Sequence, residues 1–274
     1  MRIAVRLCLL VVLSTNAVGA GADPTKVATR VRPTFAKTWD RAHFDHGLLD
    51  RLLQRHVKAG RVDYAALANE RATLDEYLYR VAETDPAALA DDNERFAFYI
   101  NAYNAVTLRA VLDRLPPDAT SWPRFSVTKV KGFWKGFAYR VGRRDLTLDQ
   151  IEHKILRPLF KRPRVHFAIV CASKGCPALA SRVYRPATLK AQLEAAARAF
   201  FRRSDALRVE REKKIVYLSP LFQWFKNDFR AYPYHHELEF VANFVDPSLA
   251  RFLRRERERL TIRYLPYDWT LNVK

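Results

Sequence analysis

Apolar residues recur at helical spacing through the first half of the chain. Leu48, Leu49, Leu52, Leu53 and Val57 share one face, and Gly60 stops the run. Leu74, Tyr77, Leu78 and Val81 form a second stripe over residues 72–81. From about Asn93 to Leu115 the stripe widens until Phe96, Phe98, Ile100, Tyr103, Val106, Leu108 and Val111 leave almost no polar side. Pro116-Pro117 close the segment. A helix that is apolar all round belongs in the centre of a domain.

The second half changes period. Phe125, Val127, Val130, Phe133, Trp134, Phe137, Tyr139 and Val141, set among Gly132, Gly136 and Gly142, predict short strands over 121–143. Residues 147–156 read as a short helix capped by Thr147 or Asp145. The near-continuous apolar run from Val165 to Cys171 predicts an internal strand. An Ala- and Leu-rich helix follows over 186–203. Leu207–Val209 and Ile215–Leu218 pair as a hairpin across the charged turn at 210–214. A charged helix over 249–260 and a strand over 261–265 end the chain. The sum is an α+β single domain, with helices packed around a small, mainly antiparallel sheet.

Residues 1–22 do not fit this pattern. Arg2 and Arg6 precede the apolar run Leu7–Leu13, which is too short to span a bilayer. Small residues allow cleavage after Ala20 or Ala22. The segment predicts an export signal and a periplasmic or secreted protein. Residues 23–42 read as a linker and 43–272 as the domain. No later run is long and apolar enough to be a spanning helix.

Charge adds one expectation. The 274 residues carry 48 Lys+Arg against 29 Asp+Glu, a net +19. With 49% hydrophobic residues the chain is not disordered, so the excess charge belongs to a basic surface. An anionic envelope component is the partner such a surface suits. Export disfavours nucleic acid, and there is no helix–turn–helix pattern. No glycine-rich phosphate loop and no GxSxG is present, and no cofactor is expected. His235-His236-Glu237 with Glu239 is not HExxH, so no metal site is predicted.

The chemistry concentrates at Cys171-Ala172-Ser173-Lys174-Gly175-Cys176-Pro177. If Pro177 opens a helix, Cys176 caps it, and the free N–H groups together with Lys174 favour its thiolate. Cys171, ending an apolar strand, is expected to be buried. Three readings stay open: a Cys171–Cys176 disulfide, a catalytic thiol, or inert burial. A thiol nucleophile needs a base and a group that orients it. His153 is the candidate base, with Glu152 or, at i−4, Asp149 as its partner. Glu152 points about 100° away from His153 unless the helix is irregular. His166 lies on the run that delivers Cys171. For both histidines a structural role competes. Asn101 and Asn104 share a face of the most apolar helix. Buried amides need partners, and they either tie the helix to nearby backbone or donate to a substrate oxyanion.

Four blocks resemble the bacterial domain-of-unknown-function 547 family: Phe96–Ala105, Leu148–His153, His166–Pro177 and Leu265–Asn272. The resemblance covers about His43 to Asn272 and centres on the Asn, Glu-His and double-Cys positions. It implies no named reaction. By further analogy it implies a papain- or transglutaminase-like thiol fold. That fold would be rearranged, because His153 precedes Cys176. The expected enzyme is a thiol-dependent hydrolase or transferase acting on an amide, thioester or thiol-conjugated small molecule or peptide. Cys176 attacks, His153 takes its proton, Glu152 or Asp149 orients the His153 ring, and Asn101, Asn104 or backbone N–H groups hold the oxyanion, with Lys174 also binding the substrate. The competing readings are a non-catalytic binding protein with a Cys171–Cys176 disulfide, and a redox dithiol protein.

Overall fold

The computed structural model describes residues 42–274. The expected export signal lies outside them, as does all of the expected linker except Ala42. The chain runs through α1 (Gly47–His56), a two-residue hairpin of β1 (Val57–Lys58) and β2 (Arg61–Val62), α2 (Tyr64–Asn69), α3 (Arg71–Glu83) and α4 (Asp92–Leu112). A second hairpin, β3 (Ala138–Val141) and β4 (Arg144–Thr147), leads into α5 (Leu148–Gln150), a π turn over Ile151–Leu156 and α6 (Arg157–Phe160). α7 (Leu189–Phe201) precedes β5 (Leu207–Glu210) and β6 (Ile215–Leu218). α8 (Leu221–Trp224), α9 (Lys226–Phe229), α10 (Glu237–Val241) and α11 (Pro247–Glu256) follow, and then β7 (Thr261–Tyr264). The fold is α+β. β5 and β6 pair antiparallel, and β7 joins β6 in parallel.

α4 forms as its sequence demands. The Asp91 carboxylate accepts the Glu94 N–H, and Asp92 and Glu94 complement the dipole of the first turn. α3 packs on one side of it and the π turn on another, so residues on every face are buried. Around α4 lies the first core. A second core gathers Phe200, Phe201, Phe222, Phe229 and Phe240 near β6 and α10. Phe167 belongs to the second core while Val165 and Ala168–Val170 belong to the first, so segment 165–176 runs along their junction.

Three expectations about elements fail. Residues 121–137 form no strands; short 3₁₀ turns occupy Ala119–Arg124 and Val127–Lys129, and strand begins only at Ala138. The segment 165–171 is not a strand either. Pro163 starts a 3₁₀ turn that runs to Phe167, and the chain then extends without a neighbouring strand. The Asn104 side chain takes the place of that neighbour. Its amide donates to the Ala168 carbonyl at 2.9 Å, and its oxygen accepts the Val170 N–H at 3.1 Å. Finally, no helix begins at Pro177. Leu179 instead bridges Gly60, so Cys176 has no helix dipole behind it.

The C-terminal tail ties the first core together. Asn272 N–H donates to the Ala172 carbonyl at 3.0 Å and Leu271 N–H to Phe125 at 2.8 Å. Tyr64 donates to the Asn272 side chain at 2.8 Å. Among the described residues no helix is long and apolar enough to cross a membrane.

Candidate functional site

Cys171 sits where segment 165–171 meets the tail. Cys171 and Cys176 are both free thiols. The Cys171 sulfur lies 3.1 Å from Ser173 Oγ and 3.3 Å from Tyr267 Oη, and the two hydroxyls are 3.3 Å apart. Ala172, at φ +63°, turns the chain so that the Ser173 amide also points at this sulfur. The left-handed turn costs an alanine about 1 kcal/mol, and the Asn272 bond to the Ala172 carbonyl holds it in place. The Cys176 thiol gives the largest contribution, a hydrogen bond to Cys171. Together these groups outweigh burial and bring Cys171 down to about 6. Cys176 behaves in the opposite way: burial, and then its neighbour's charge, push its thiol well up.

Gly175 lets Tyr267 come close. A Cβ there would lie 2.9 Å from the Asp268 nitrogen and 3.2 Å from Tyr267 Cδ1. The glycine is therefore required by the approach of the tail.

The π turn supplies the second half of the site. Arg157 N–H donates to the Glu152 carbonyl, five residues back. That extra residue per turn is the irregularity that brings Glu152 and His153 to one cavity. Burial pushes Glu152 up to about 7; Arg157 pulls against the rise and the Cys171 charge adds to it. Tyr103 Oη stands 3.5 Å from Glu152 Oε2. His153 is 38% exposed at its side chain and lies 3.7 Å from Asp149. It also contacts Arg157, and burial and that arginine lower its pKa. It has no hydrogen bond to either sulfur.

His166 holds the more organised position. Its Nε2 is 2.8 Å from Asp228 Oδ2, its Nδ1 is 3.8 Å from Glu152 Oε1, and its ring stacks on Phe225 at 4.0 Å. Full burial lowers its pKa despite Asp228. Asp228 is gripped by Arg157 at 2.6 and 3.0 Å. Burial opposes its charge, but the His166 and Arg157 hydrogen bonds hold it far below the usual carboxylate range.

One cavity of about 330 Å³ is lined by Cys171, Cys176, Glu152, His153, Asp149 and His166. Trp134, Trp224, Trp269 and Tyr267 form an aromatic wall, in which Trp224 and Trp269 stack at 5.5 Å. Sequence reasoning named Glu152, His153, Cys171 and Cys176, which meet here. Asn101, Asn104 and Lys174 do not line the cavity. The Asn101 amide is bound to the Tyr184 backbone at 2.8 and 2.9 Å, as Asn104 is bound to 168–170, so each is held to backbone through its oxygen and one of its two N–H donors. Asp228, Tyr267 and Ser173 were missed. Each is a common surface residue type, and only their distant partners mark them. His236 caps α10, its ring accepting the Leu238 N–H. Among the described residues no group of three or more His, Cys, Asp or Glu is arranged to hold a metal ion.

Residues 87–201 match the model of a family described as "Protein of unknown function, DUF547". The match takes in α4, the π turn and both cysteines. The chain carries a DUF547 domain over those residues. The site extends beyond the matched stretch, because Trp224, Phe225, Asp228, Tyr267 and Trp269 follow it in the chain. Comparisons with curated proteins and with solved structures gave no match.

Proposed function

We propose that this protein is a thiol-dependent acyl hydrolase or transferase whose nucleophile is Cys171. The observation that carries the reading is the Cys171 sulfur, surrounded by hydrogen-bond donors in a cavity that it shares with Glu152. The nucleophile is thus Cys171 and not Cys176, which is the better buried and keeps its proton.

The Cys171 thiolate attacks the carbonyl carbon of a thioester or amide. Glu152, neutral below about 7, gives its proton to the leaving thiol or amine. The Glu152 carboxylate then takes a proton from water, or from an acceptor nucleophile, which attacks the acyl-Cys171 and restores the thiolate. His166 is a positioning residue. Its Nε2–H donates to Asp228, a tautomer assigned from the hydrogen bond, which leaves the Nδ1 lone pair facing Glu152. The aromatic wall suits an apolar acyl group. On this reading the fold is a rearranged papain- or transglutaminase-like one, in which the histidine beside the site precedes the cysteine.

A short-chain p-nitrophenyl ester and an acyl thioester test this. The expected results are an acyl adduct on Cys171 by intact mass and peptide mapping, and loss of turnover to background in Cys171→Ala. In Glu152→Gln the thioester should slow by about 100-fold. The p-nitrophenolate burst, which reports acylation by an ester whose leaving group needs no proton, should slow far less. The kcat/KM profile should rise through about 6 as Cys171 ionises and fall through about 7 as Glu152 loses its proton. Hydrolysis that survives Cys171→Ala would overturn the proposal.

A further inference from the structure

Acyl transfer uses Cys176 only as a partner of the Cys171 sulfur, although its own sulfur lines the same cavity and accepts the Cys171 backbone N–H at 3.0 Å. The neighbouring Cys176 thiol is also the largest cause that lowers Cys171. The loop between them is held from both sides. Lys174 and Gly175 N–H groups donate to the tail at Thr270 and Asp268, both at 2.8 Å. Arg203 donates to the Lys174 and Cys176 carbonyls at 2.9 and 2.6 Å. The juxtaposition of the sulfurs is therefore fixed by structure around the loop and is no accident of two adjacent turns. Cys171 is half-buried and Cys176 buried, and both line the cavity. An accessible thiolate beside a protonated thiol is the arrangement in which one sulfur meets an oxidant and the other resolves the product.

We propose that Cys171 and Cys176 are a two-electron redox pair that reduces a hydroperoxide and closes to an intramolecular disulfide. The Cys171 thiolate attacks the distal peroxide oxygen. An S–O bond forms, the O–O bond breaks, and the departing alkoxide takes the Glu152 proton and leaves as an alcohol, or as water when the oxidant is hydrogen peroxide. The Cys176 sulfur then attacks the Cys171 sulfur. The S–S bond forms, the S–O bond breaks, and hydroxide leaves as water with the Cys176 thiol proton. The two sulfurs lose two electrons and the peroxide gains two. An external dithiol restores both thiols by exchange. The inference uses the same thiolate as the acyl-transfer reading but no acyl chemistry.

The test treats the reduced full chain with hydrogen peroxide at near-stoichiometric amounts, followed by alkylation and peptide mapping. The expected result is loss of alkylation at Cys171 and Cys176, a linked peptide joining Cys171 to Cys176, and full recovery with dithiothreitol. In Cys176→Ser the sulfenic acid at Cys171 should persist and be trapped by dimedone. A wild-type protein that gives a dimedone adduct or sulfinic acid at Cys171 while Cys176 still alkylates would overturn the proposal. The wild-type mapping decides even if the variant does not fold. Disulfide closure without ester or thioester turnover supports the redox pair and removes the acyl-transfer reading alone. Turnover without closure does the reverse.

Discussion

Tyr267 shows how much of the site's chemistry rests on single contacts. Its hydroxyl lies 3.3 Å from the Cys171 sulfur, 96 residues away in the chain. Removing it takes one donor from the thiolate while Ser173 and Cys176 remain. In Tyr267→Phe the midpoint of iodoacetamide labelling should move up from about 6. One hydrogen bond to a charged group is worth roughly 1.5 kcal/mol, about one pH unit. An unchanged midpoint would remove Tyr267 from the site. The residue types that carry the site were visible in the sequence as exceptions. Two cysteines, a Glu-His pair and two asparagines on an apolar helix stand out from their surroundings. What each of them does was not visible. Asn101 and Asn104 went to backbone, and the lowered thiol proved to be Cys171, because hydrogen bonds from outside its own segment decide which sulfur ionises.

At the level of elements, the segment 165–171 is the instructive case. Its apolar run is real and it is buried, yet it has no strand partner. Apolar runs report burial, and burial does not require a sheet when a side chain can satisfy the backbone. Asn104 does this with two hydrogen bonds. Asn104→Ala would leave the Ala168 carbonyl and the Val170 N–H buried without partners. The expected loss is on the order of 2–4 kcal/mol of unfolding free energy, read by urea denaturation. A loss under about 0.5 kcal/mol would mean that this bridge is dispensable. The π turn teaches the same lesson in a helix. Residues 147–156 were legible as helical, with Thr147 forming a capping box with Gln150. The register shift that brings Glu152 to the cavity is a π turn lying against α4, a geometry no local propensity encodes.

Across the whole molecule, buried titratable groups couple the fold to pH. His46 precedes α1, bonds Tyr77 Oη at 2.8 Å through Nδ1, and has no partner for its buried Nε2. Burial lowers it to about 3, with Asp45 opposing and Arg185 assisting. Its folded pKa lies below its unfolded value near 6.5, so its stability contribution is complete above 6.5 and is lost as pH falls toward about 3. His46→Gln should therefore reduce the slope of unfolding free energy against pH by about 1.4 kcal/mol per unit between roughly pH 6 and 5. Equal slopes in the two proteins would show that His46 protonates without cost. Much of the basic surface is tied up in pairs such as Arg157 with Asp228, Arg203 with Asp205, and Arg182 and Arg185 with Asp50. These arginines hold structure together. By itself the sequence determined the helices α1, α3, α4, α7 and α11, the buried position of α4, the β5–β6 hairpin and the few polar residues set among apolar ones. Those features follow from periodicity and from the cost of burying polarity, and both are local. Only the tertiary structure decided which thiol is lowered and which raised, that Asp228 and Tyr267 belong to the site, and that burial raises Glu152. A pKa depends on the groups within a few ångströms, and here those groups come from the π turn, α9 and the C-terminal tail.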